Sequence, residues 1–238
     1  MSALEQLRVR IFADGADRDG MLALYANPLV AGFTTNPTLM RRAGVRDYRA
    51  FALEILRAIP DRPISFEVLS DDFAEMECQA RRISAWAGNV FVKIPVTNTR
   101  GEPSEDIVRR LCADGIRLNV TALLSLSQVR QVAEWIRGGP ECFVSVFAGR
   151  VADTGRDPVP LMAAAAELLR PVPNARLLWA SPRELLNIFQ ADAVGCHCIT
   201  VAHDLLAKLP LVGRDLEALS LDTVRLFRRD AEAAGYEV

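Results

Sequence analysis

The chain has 238 residues, of which 50% are hydrophobic and 24% are charged, the ordinary balance of a globular protein. The formal net charge is −2, so the composition indicates no basic face and argues against nucleic acid as a partner. No apolar stretch at the N-terminus is long enough for a secretion signal, and charges or Gly/Pro interrupt every later apolar run, so we expect no membrane span. We expect residues 1–238 to form a single domain with a large core.

The cysteines give no sign of a disulfide framework or a metal site. They are odd in number and show no Cys-x-x-Cys spacing: Cys78, Cys112, Cys142, Cys196 and Cys198. We therefore expect reduced thiols and a cytoplasmic location. In a strand, Cys196 and Cys198 would point to one face and His197 to the other, which predicts core packing rather than metal ligands. His203 is expected at the surface or near a helix cap.

Short apolar runs rich in β-branched residues alternate with longer amphipathic stretches. The predicted strands are Val9–Ala13, Gly32–Thr35, Ile64–Val68, Val90–Ile94, Arg117–Val120, Cys142–Phe147, Arg176–Ala180 and Cys196–Thr200. The helical patterns between them include Tyr48–Ala58, Asp72–Trp86, Glu105–Cys112, Leu126–Ile136, Pro158–Leu169, Arg183–Gln190 and Asp204–Leu209. This alternation predicts a parallel (β/α)8 TIM barrel and favours it over a doubly wound open sheet.

One additional helix is predicted after the eight units. A Ser-x-x-Thr sequence at Ser220 opens a charged amphipathic run that continues to Ala234. We expect this helix to cover a barrel end or to reach a neighbouring subunit.

Polar residues recur where seven consecutive predicted strands end. Along the chain they are Asp14, Thr35, Asn36, Glu67, Lys93, Asn119, Thr121, Ser145, Arg150 and Ser181. In a TIM barrel the active site is built at these carboxyl ends, so the pattern indicates a ring of polar groups around one pocket.

Lys93 is the most informative of these residues, because apolar residues flank it on both sides. Burial disfavours the ammonium form of a lysine and leaves an amine that attacks carbonyl groups. An equally good interpretation is a lysine at a strand end that extends its ammonium group to water. Asp14 and Glu67 could supply the proton transfers of imine chemistry. The simpler alternatives are a turn or cap role for Asp14 and a surface strand position for Glu67.

Several motifs, in order, resemble the transaldolase family over nearly the whole chain. They are Gly-Phe-Thr-Thr-Asn-Pro-Thr-Leu (32–39), Val-Phe-Val-Lys-Ile-Pro-Val-Thr (90–97), Asn-Val-Thr-Ala-Leu-Leu-Ser (119–125), Ser-Val-Phe-Ala-Gly-Arg (145–150) and Val-Gly-Cys-His-Cys-Ile-Thr (194–200). The resemblance implies a cofactor-independent Schiff-base enzyme of carbohydrate metabolism, as in the pentose phosphate pathway. It also implies sugar phosphates as substrates and self-association of the chain.

The same resemblance implies a role for each site residue. Lys93 would form an imine with the C2 carbonyl of a ketose phosphate, and Glu67 with Thr121 would position a proton-shuttling water. Asp14, Asn36 and Asn119 would hold substrate hydroxyls and assist proton movement. Ser145 would line the pocket near the ketose, and Thr35 would also bind substrate. Arg150, with Ser181 and Arg183, would hold the phosphate. A planar guanidinium suits a phosphate group.

Glu67 lies in a Ser-Phe-Glu-Val context that is similar to true transaldolases, whereas the related fructose 6-phosphate aldolases have glutamine there. This favours transfer of a dihydroxyacetone unit to an acceptor. Two alternatives stay open: simple aldol cleavage or addition, and a barrel that binds sugar phosphates without turnover. The chain departs from the family pattern at Gly15, at Val146 and in Trp179-Ala-Ser-Pro-Arg, where Trp179 and Pro182 are expected to reshape the phosphate mouth.

Overall fold

The protein is described from a computed structural model that covers residues 3–236. Within these residues eight strands form a closed parallel barrel in the order β1 to β8. Their bounds are β1 Arg10–Asp14, β2 Val30–Thr34, β3 Ile64–Glu67, β4 Val90–Pro95, β5 Leu118–Leu123, β6 Cys142–Val146, β7 Ala175–Trp179 and β8 Cys198–Ala202. The predicted (β/α)8 barrel is therefore confirmed.

Helices cover the outside of the barrel between successive strands. They are α1 Arg18–Tyr25, α2 Pro37–Arg42, α3 Tyr48–Ala58, α4 Phe73–Ser84, α5 Glu105–Ala113, α6 Leu126–Trp135, α7 Ala148–Ala152, α8 Val159–Leu169, α9 Leu186–Ala193, α10 His203–Leu206 and α11 Leu216–Ala234, with a 3₁₀ turn at Leu209–Leu211. Several begin at an Asp, Asn or Ser whose side chain accepts a hydrogen bond from the backbone of the first turn, as at Asp72 and Ser125. No helix among the described residues has both the length and the apolar run needed to cross a membrane.

Several predicted boundaries were wrong by two to four residues. β8 begins at Cys198 rather than Cys196, because Cys196 still belongs to the turn after α9 and donates its N–H to the Ala191 carbonyl. The last helix begins at Leu216 rather than Ser220, because the Asp215 carboxylate caps it by accepting from Ala218 N. Arg150 lies in the five-residue helix α7 and not on the sixth strand.

The barrel interior has an aromatic layer under a polar layer. The side chains that fill the lower layer are Phe12, Phe91, Phe143, Leu178 and Cys198. The rings of Phe91 and Phe143 lie 4.4 Å apart between centroids, and Phe12 meets Phe143 edge-on at 5.4 Å. Gly32 leaves the space that the Phe12 ring occupies, since an added Cβ would lie 2.7 Å from that ring.

The polar layer follows from the strand period of two. Successive side chains alternate between the two faces of a strand, so the residue two places after an inward aromatic also points inward. By this rule Phe12 is followed by Asp14, Phe91 by Lys93 and Phe143 by Ser145. The alternate positions, such as Trp179, pack outward against the helices. The fold thus places a ring of polar side chains at the carboxyl end of the barrel.

Helix α11 makes little contact with the barrel. None of its 19 residues is buried, and Leu216, Val224 and Phe227 are among its exposed apolar side chains. The alternative in which this helix covers a barrel end is therefore wrong for the described residues, while self-association stays a prediction.

Candidate functional site

Lys93 lies on β4 in the polar layer and is only 6% exposed. Its Nζ donates to the Thr35 carbonyl at 2.8 Å and lies 3.1 Å from Glu67 Oε2. Both contacts follow from the parallel sheet, because Glu67 on β3 is in register with Lys93 and Thr35 directly follows β2. Lys93 therefore does not extend to water, and its amine is buried next to a carboxylate that can accept a proton.

Asp14 ends β1 and interacts electrostatically with Lys93. The Thr34 hydroxyl donates to Asp14 Oδ1 at 2.7 Å. That hydroxyl has one proton, so the neighbouring Thr200 hydroxyl must be the donor in its own contact with Thr34. Burial raises the pKa of Asp14, while the Lys93 charge and the Thr34 hydrogen bond partly oppose the rise. A carboxyl group with a raised pKa is a better proton acceptor than an exposed aspartate, which suits it to proton transfer.

A second hydrogen-bonded chain crosses β6, β5 and β3. Ser145 Oγ donates to Asn119 Oδ1 at 2.6 Å, and Asn119 Nδ2 donates to Ser65 Oγ at 3.0 Å. All three side chains are buried. These two hydrogen bonds fix the orientation of the Asn119 amide and use one of its two amide protons.

Thr121 lies two residues after Asn119 on β5. Its hydroxyl is buried and makes no hydrogen bond within residues 3–236. The next residue, Ala122, has a φ of 65°, and the pairing of β5 with β6 shifts register between Val120 and Leu123. Strained backbone of this kind is concentrated at functional sites, where it redirects a side chain.

Asn36 and Thr35 have structural roles beside their predicted ones. Asn36 caps α2 by accepting from Leu39 N at 3.0 Å, and it is half-buried. The Thr35 hydroxyl donates to the Ser65 carbonyl, which leaves the Thr35 carbonyl free to hold Lys93. Thr35 therefore helps to hold the Lys93 side chain in place.

The predicted phosphate residues lie on helix α7 and on the loop after β7, which touch each other. Gly149 on α7 packs against the turn after β7, where a Cβ would lie 1.5 Å from the Ser181 carbonyl oxygen. Ser181 itself has a φ of 62°. This close approach brings α7, which carries Arg150, next to Ser181.

The two arginines at this mouth differ in their partners. The Arg183 guanidinium is paired with the Asp153 carboxylate, with Nε to Oδ1 at 2.8 Å. Arg150 is exposed and forms no ion pair or hydrogen bond through its side chain within the described part of the chain. Arg150 is thus the guanidinium free to bind an anion.

The expectation that Trp179 shapes this mouth was wrong. Trp179 is fully buried and packs outward in the shell between the barrel and its helices. Its neighbour Ala180 points inward instead, as strand alternation requires. Pro182 is half-buried in the loop after β7, and its expected effect on the shape of this mouth stays a prediction.

Three contributors to the site were not predicted from the sequence. Thr34 and Thr200 hold Asp14, and the tandem Thr34-Thr35 at the end of β2 is the signal that could have identified Thr34. His203, half-buried rather than a surface residue, lies against Gly15 and Gly20, where an added Cβ would be 2.4 and 2.8 Å from the ring. Burial lowers the pKa of His203, against the opposing charges of Asp17, Asp14 and Asp204.

The Cys-His-Cys segment has no site geometry. Cys196 and Cys198 lie in different apolar clusters, so the expectation that they share a face was wrong. His197 Nδ1 accepts a hydrogen bond from Leu177 N at 3.1 Å. Within residues 3–236 no group of three His, Cys, Asp or Glu side chains could hold a metal ion.

Solved structures share the fold but are distant in sequence. A mandelate oxidase superposes with a TM-score of 0.57 at 14% identity, covering 88% of this chain and 69% of that one. A putative phosphonomutase from Burkholderia cenocepacia gives 0.55 at 14% identity, covering 95% and 97%. At this identity the likeness shows the barrel alone.

Sequence comparison is more specific. The family model described as "Transaldolase/Fructose-6-phosphate aldolase" matches residues 11–237. A probable transaldolase of Desulforamulus reducens is 35% identical over 91% of this chain and 97% of that protein, and one of Dehalococcoides mccartyi is 33% identical over 84% and 90%. A "Probable transaldolase 2" of Listeria monocytogenes is 32% identical over 90% and 95%. The chain belongs to the transaldolase/fructose-6-phosphate aldolase family.

Proposed function

We propose that this protein transfers a dihydroxyacetone unit from a ketose phosphate to an aldose phosphate through an imine on Lys93. The observation that carries the proposal is the buried Lys93 amine, held by the Thr35 carbonyl and the Glu67 carboxylate in the polar layer of the barrel. The sequence adds weight, because the chain has only two lysines and the other, Lys208, is exposed. Nearly all other basic side chains of this protein are arginines, so a lysine at the buried position fits a requirement for an amine nucleophile.

In the first step the Lys93 amine attacks the C2 carbonyl. Glu67, 3.1 Å from Nζ, is placed to take the proton that the ammonium must lose. The resulting carbinolamine loses its hydroxyl as water after protonation and becomes an iminium ion. Glu67 then supports the same proton transfers in reverse when the product is hydrolysed.

In the second step Asp14 takes the proton of the C4 hydroxyl. The C3–C4 bond breaks, its electron pair moves into the iminium to form an enamine, and the aldehyde leaves. Attack of the enamine on an acceptor aldehyde forms the new bond, and Asp14 returns the proton to the new hydroxyl. Its buried environment and raised pKa suit a group that exchanges a proton in both directions.

The other polar groups of the layer would hold the substrate. Asn119, oriented by Ser145 and Ser65, can donate to a sugar oxygen. The Thr121 hydroxyl has no hydrogen-bond partner among the described residues, so it is available to a substrate hydroxyl or to the proton-carrying water. Asn36 follows β2 at the same end of the barrel. It would contribute its amide nitrogen, because its side-chain oxygen caps α2.

Arg150 is proposed as the main phosphate ligand, with the Ser181 hydroxyl beside it. Arg183 would act mainly through its pair with Asp153, which ties α7 to the loop after β7. A homo-oligomer, a cytoplasmic location and a role in the pentose phosphate pathway are proposed on the family resemblance.

Dependence on an acceptor separates transfer from simple cleavage. With fructose 6-phosphate as donor, we expect glyceraldehyde 3-phosphate release to be at least about tenfold faster when a four-carbon aldose phosphate is added. Glu67→Gln should weaken that dependence. Lys93→Ala should be inactive in both assays, while Lys208→Ala, the matched lysine variant, should behave as the parent.

Each alternative has its own outcome. Equal release with and without acceptor would assign the protein to the aldolase branch. Binding of fructose 6-phosphate without any turnover would support a sugar-phosphate-binding barrel instead.

A further inference from the structure

A cavity of about 490 Å³ lies at the amino-terminal mouth of the barrel. Phe91 and Phe143 of the aromatic layer line its inner end. That layer separates the cavity from Lys93, which lies two residues beyond Phe91 on β4. This cavity is therefore separated from the polar layer by the aromatic layer.

Two guanidinium groups face this cavity from opposite sides. Arg10 begins β1 and Arg117 immediately precedes β5, and both line the cavity. In a closed barrel of eight strands taken in order, β1 and β5 lie across the lumen from each other. Arg117 Cζ lies 4.8 Å from the Phe91 ring centroid and Arg10 Cζ 5.9 Å from that of Phe12. Stacking on these buried rings holds both cations in place.

The carboxylates at this mouth already have partners. Glu141 Oε1 accepts from Arg176 Nε at 2.8 Å, and Asp61 Oδ1 accepts from the Tyr25 hydroxyl at 2.7 Å. Within residues 3–236 neither Arg10 nor Arg117 lies within ion-pair distance of an acidic group. Arg10 faces the Cys198 thiol, which stays neutral because burial raises its pKa to about 11.

Two like charges directed into one cavity repel each other, and a bound anion would remove that repulsion. Positive potential at this mouth also acts on His197, whose pKa is lowered by burial first and then by Arg176 and Arg10. The cavity thus has two cations stacked on buried rings, and among residues 3–236 no carboxylate lies within ion-pair distance of either of them.

We propose that this mouth binds the phosphate group of a small phosphorylated metabolite between Arg10 and Arg117. Two guanidinium groups that approach from opposite sides need a ligand with acceptor oxygens on both of its sides. A tetrahedral phosphate has such oxygens, whereas a carboxylate has both of its oxygens on one side. The cavity exceeds the volume of a phosphate ion, so an ester with a small neutral remainder fits. The paired Glu141 and Asp61 on the wall disfavour a polyanion. This site is separate from the proposed transfer site and does not depend on it.

Titration calorimetry with inorganic phosphate at low ionic strength tests the proposal in solution. We expect Arg10→Gln and Arg117→Gln each to weaken one class of phosphate site at least about tenfold, because each removes charge-assisted hydrogen bonds. Arg62→Gln is the matched control, since Arg62 stacks on Tyr25 near this mouth but does not line the cavity. Arg117→Lys keeps the charge without the planar fork and should bind with intermediate affinity, which guards against a Gln variant that fails to fold.

Crystals soaked in tungstate, a heavy tetrahedral oxyanion, locate the site directly. We expect an anomalous peak between Arg10 and Arg117 that survives in Arg150→Gln. A peak found only beside Arg150 and Ser181 would overturn the proposal. Phosphate affinity unchanged by both Arg10→Gln and Arg117→Gln would overturn it equally.

Discussion

The Thr121 hydroxyl is buried yet contributes no hydrogen bond to the fold within residues 3–236. Burying such a hydroxyl costs desolvation free energy, which is offset only when a ligand or a water molecule forms a hydrogen bond with it. Thr121→Val should therefore leave the free energy of unfolding unchanged or raise it by up to about 1 kcal/mol. The same substitution should lower kcat/KM about 10- to 100-fold, because the hydroxyl is proposed to serve the substrate or its water.

Thr35→Val is the matched comparison for stability. The Thr35 hydroxyl donates to the Ser65 carbonyl, so its loss should lower the free energy of unfolding by about 1–2 kcal/mol in urea denaturation. If Thr121→Val were destabilised as much as Thr35→Val, the proposed assignment of the Thr121 hydroxyl to the substrate would fail.

Asp14 makes a prediction about pH. Burial raises its pKa in the folded protein above the unfolded value, so between the two values the folded state holds more protons. The stability that Asp14 contributes is therefore fully present below the unfolded pKa and is lost as pH rises through the folded pKa. Asp14→Asn removes this titration, so its melting temperature should exceed that of the parent by more at pH 7 than at pH 4.

The activity of Asp14→Asn should move in the opposite direction. We expect kcat to fall about 10²- to 10⁴-fold, because an amide cannot accept the C4 hydroxyl proton. A constant stability difference from pH 4 to pH 7, measured by thermal melts, would contradict the raised pKa.

At the scale of single residues, the charged residues of the site were easier to predict from the sequence than the residues that hydrogen-bond to them or pack against them. Lys93 was identified because apolar neighbours surround it on its own strand. Thr200 was not, because its contact with Thr34 joins residues 166 positions apart and depends on how β8, β1 and β2 meet at barrel closure. His203 was missed for the same reason, since its place is created by the absence of side chains at Gly15 and Gly20.

At the scale of elements, the contact between α7 and the loop after β7 is the tightest in the proposed phosphate mouth. A Cβ on Gly149 would lie 1.5 Å from the Ser181 carbonyl oxygen, so one of the two backbones must move. Gly149→Ala should lower the free energy of unfolding by about 1–3 kcal/mol. It should also raise KM for phosphorylated donors more than for the same ketose without phosphate.

Gly88→Ala is the control for this prediction. Nothing lies within 4 Å of a Cβ at Gly88, and its φ is not in the left-handed region. Chemical denaturation should place Gly88→Ala within about 0.5 kcal/mol of the parent. Equal stability of the Gly149 and Gly88 variants would mean that the two loops do not pack as described.

Element types were predictable and element ends were not. Apolar runs identify all eight strands, because strands of a parallel barrel are buried on both faces. Helix α7 was missed since five residues are too short to show a helical period. That omission placed Arg150 on a strand, although its position at the mouth of the barrel is similar.

At the scale of the whole molecule, barrel closure brings polar side chains from the ends of separate strands into one layer. The alternation of strands and helices predicts a parallel sheet, because crossover connections build parallel sheets, and the count of eight strands favours closure over an open sheet. What alternation does not predict is the depth of the layer, which the aromatic side chains beneath it determine. The surface of α11 is likewise visible only in the fold, since none of its residues is buried.

Borohydride reduction in the presence of fructose 6-phosphate tests the central claim most directly, because the chain has only Lys93 and Lys208 as lysine candidates. Intact mass and peptide mapping should show one reduced three-carbon adduct on Lys93, present in Lys208→Ala and absent in Lys93→Ala. An adduct confined to Lys208 or to the N-terminal amine would contradict imine catalysis at Lys93. So would the absence of any adduct with fructose 6-phosphate, a heptulose phosphate and unphosphorylated ketoses alike.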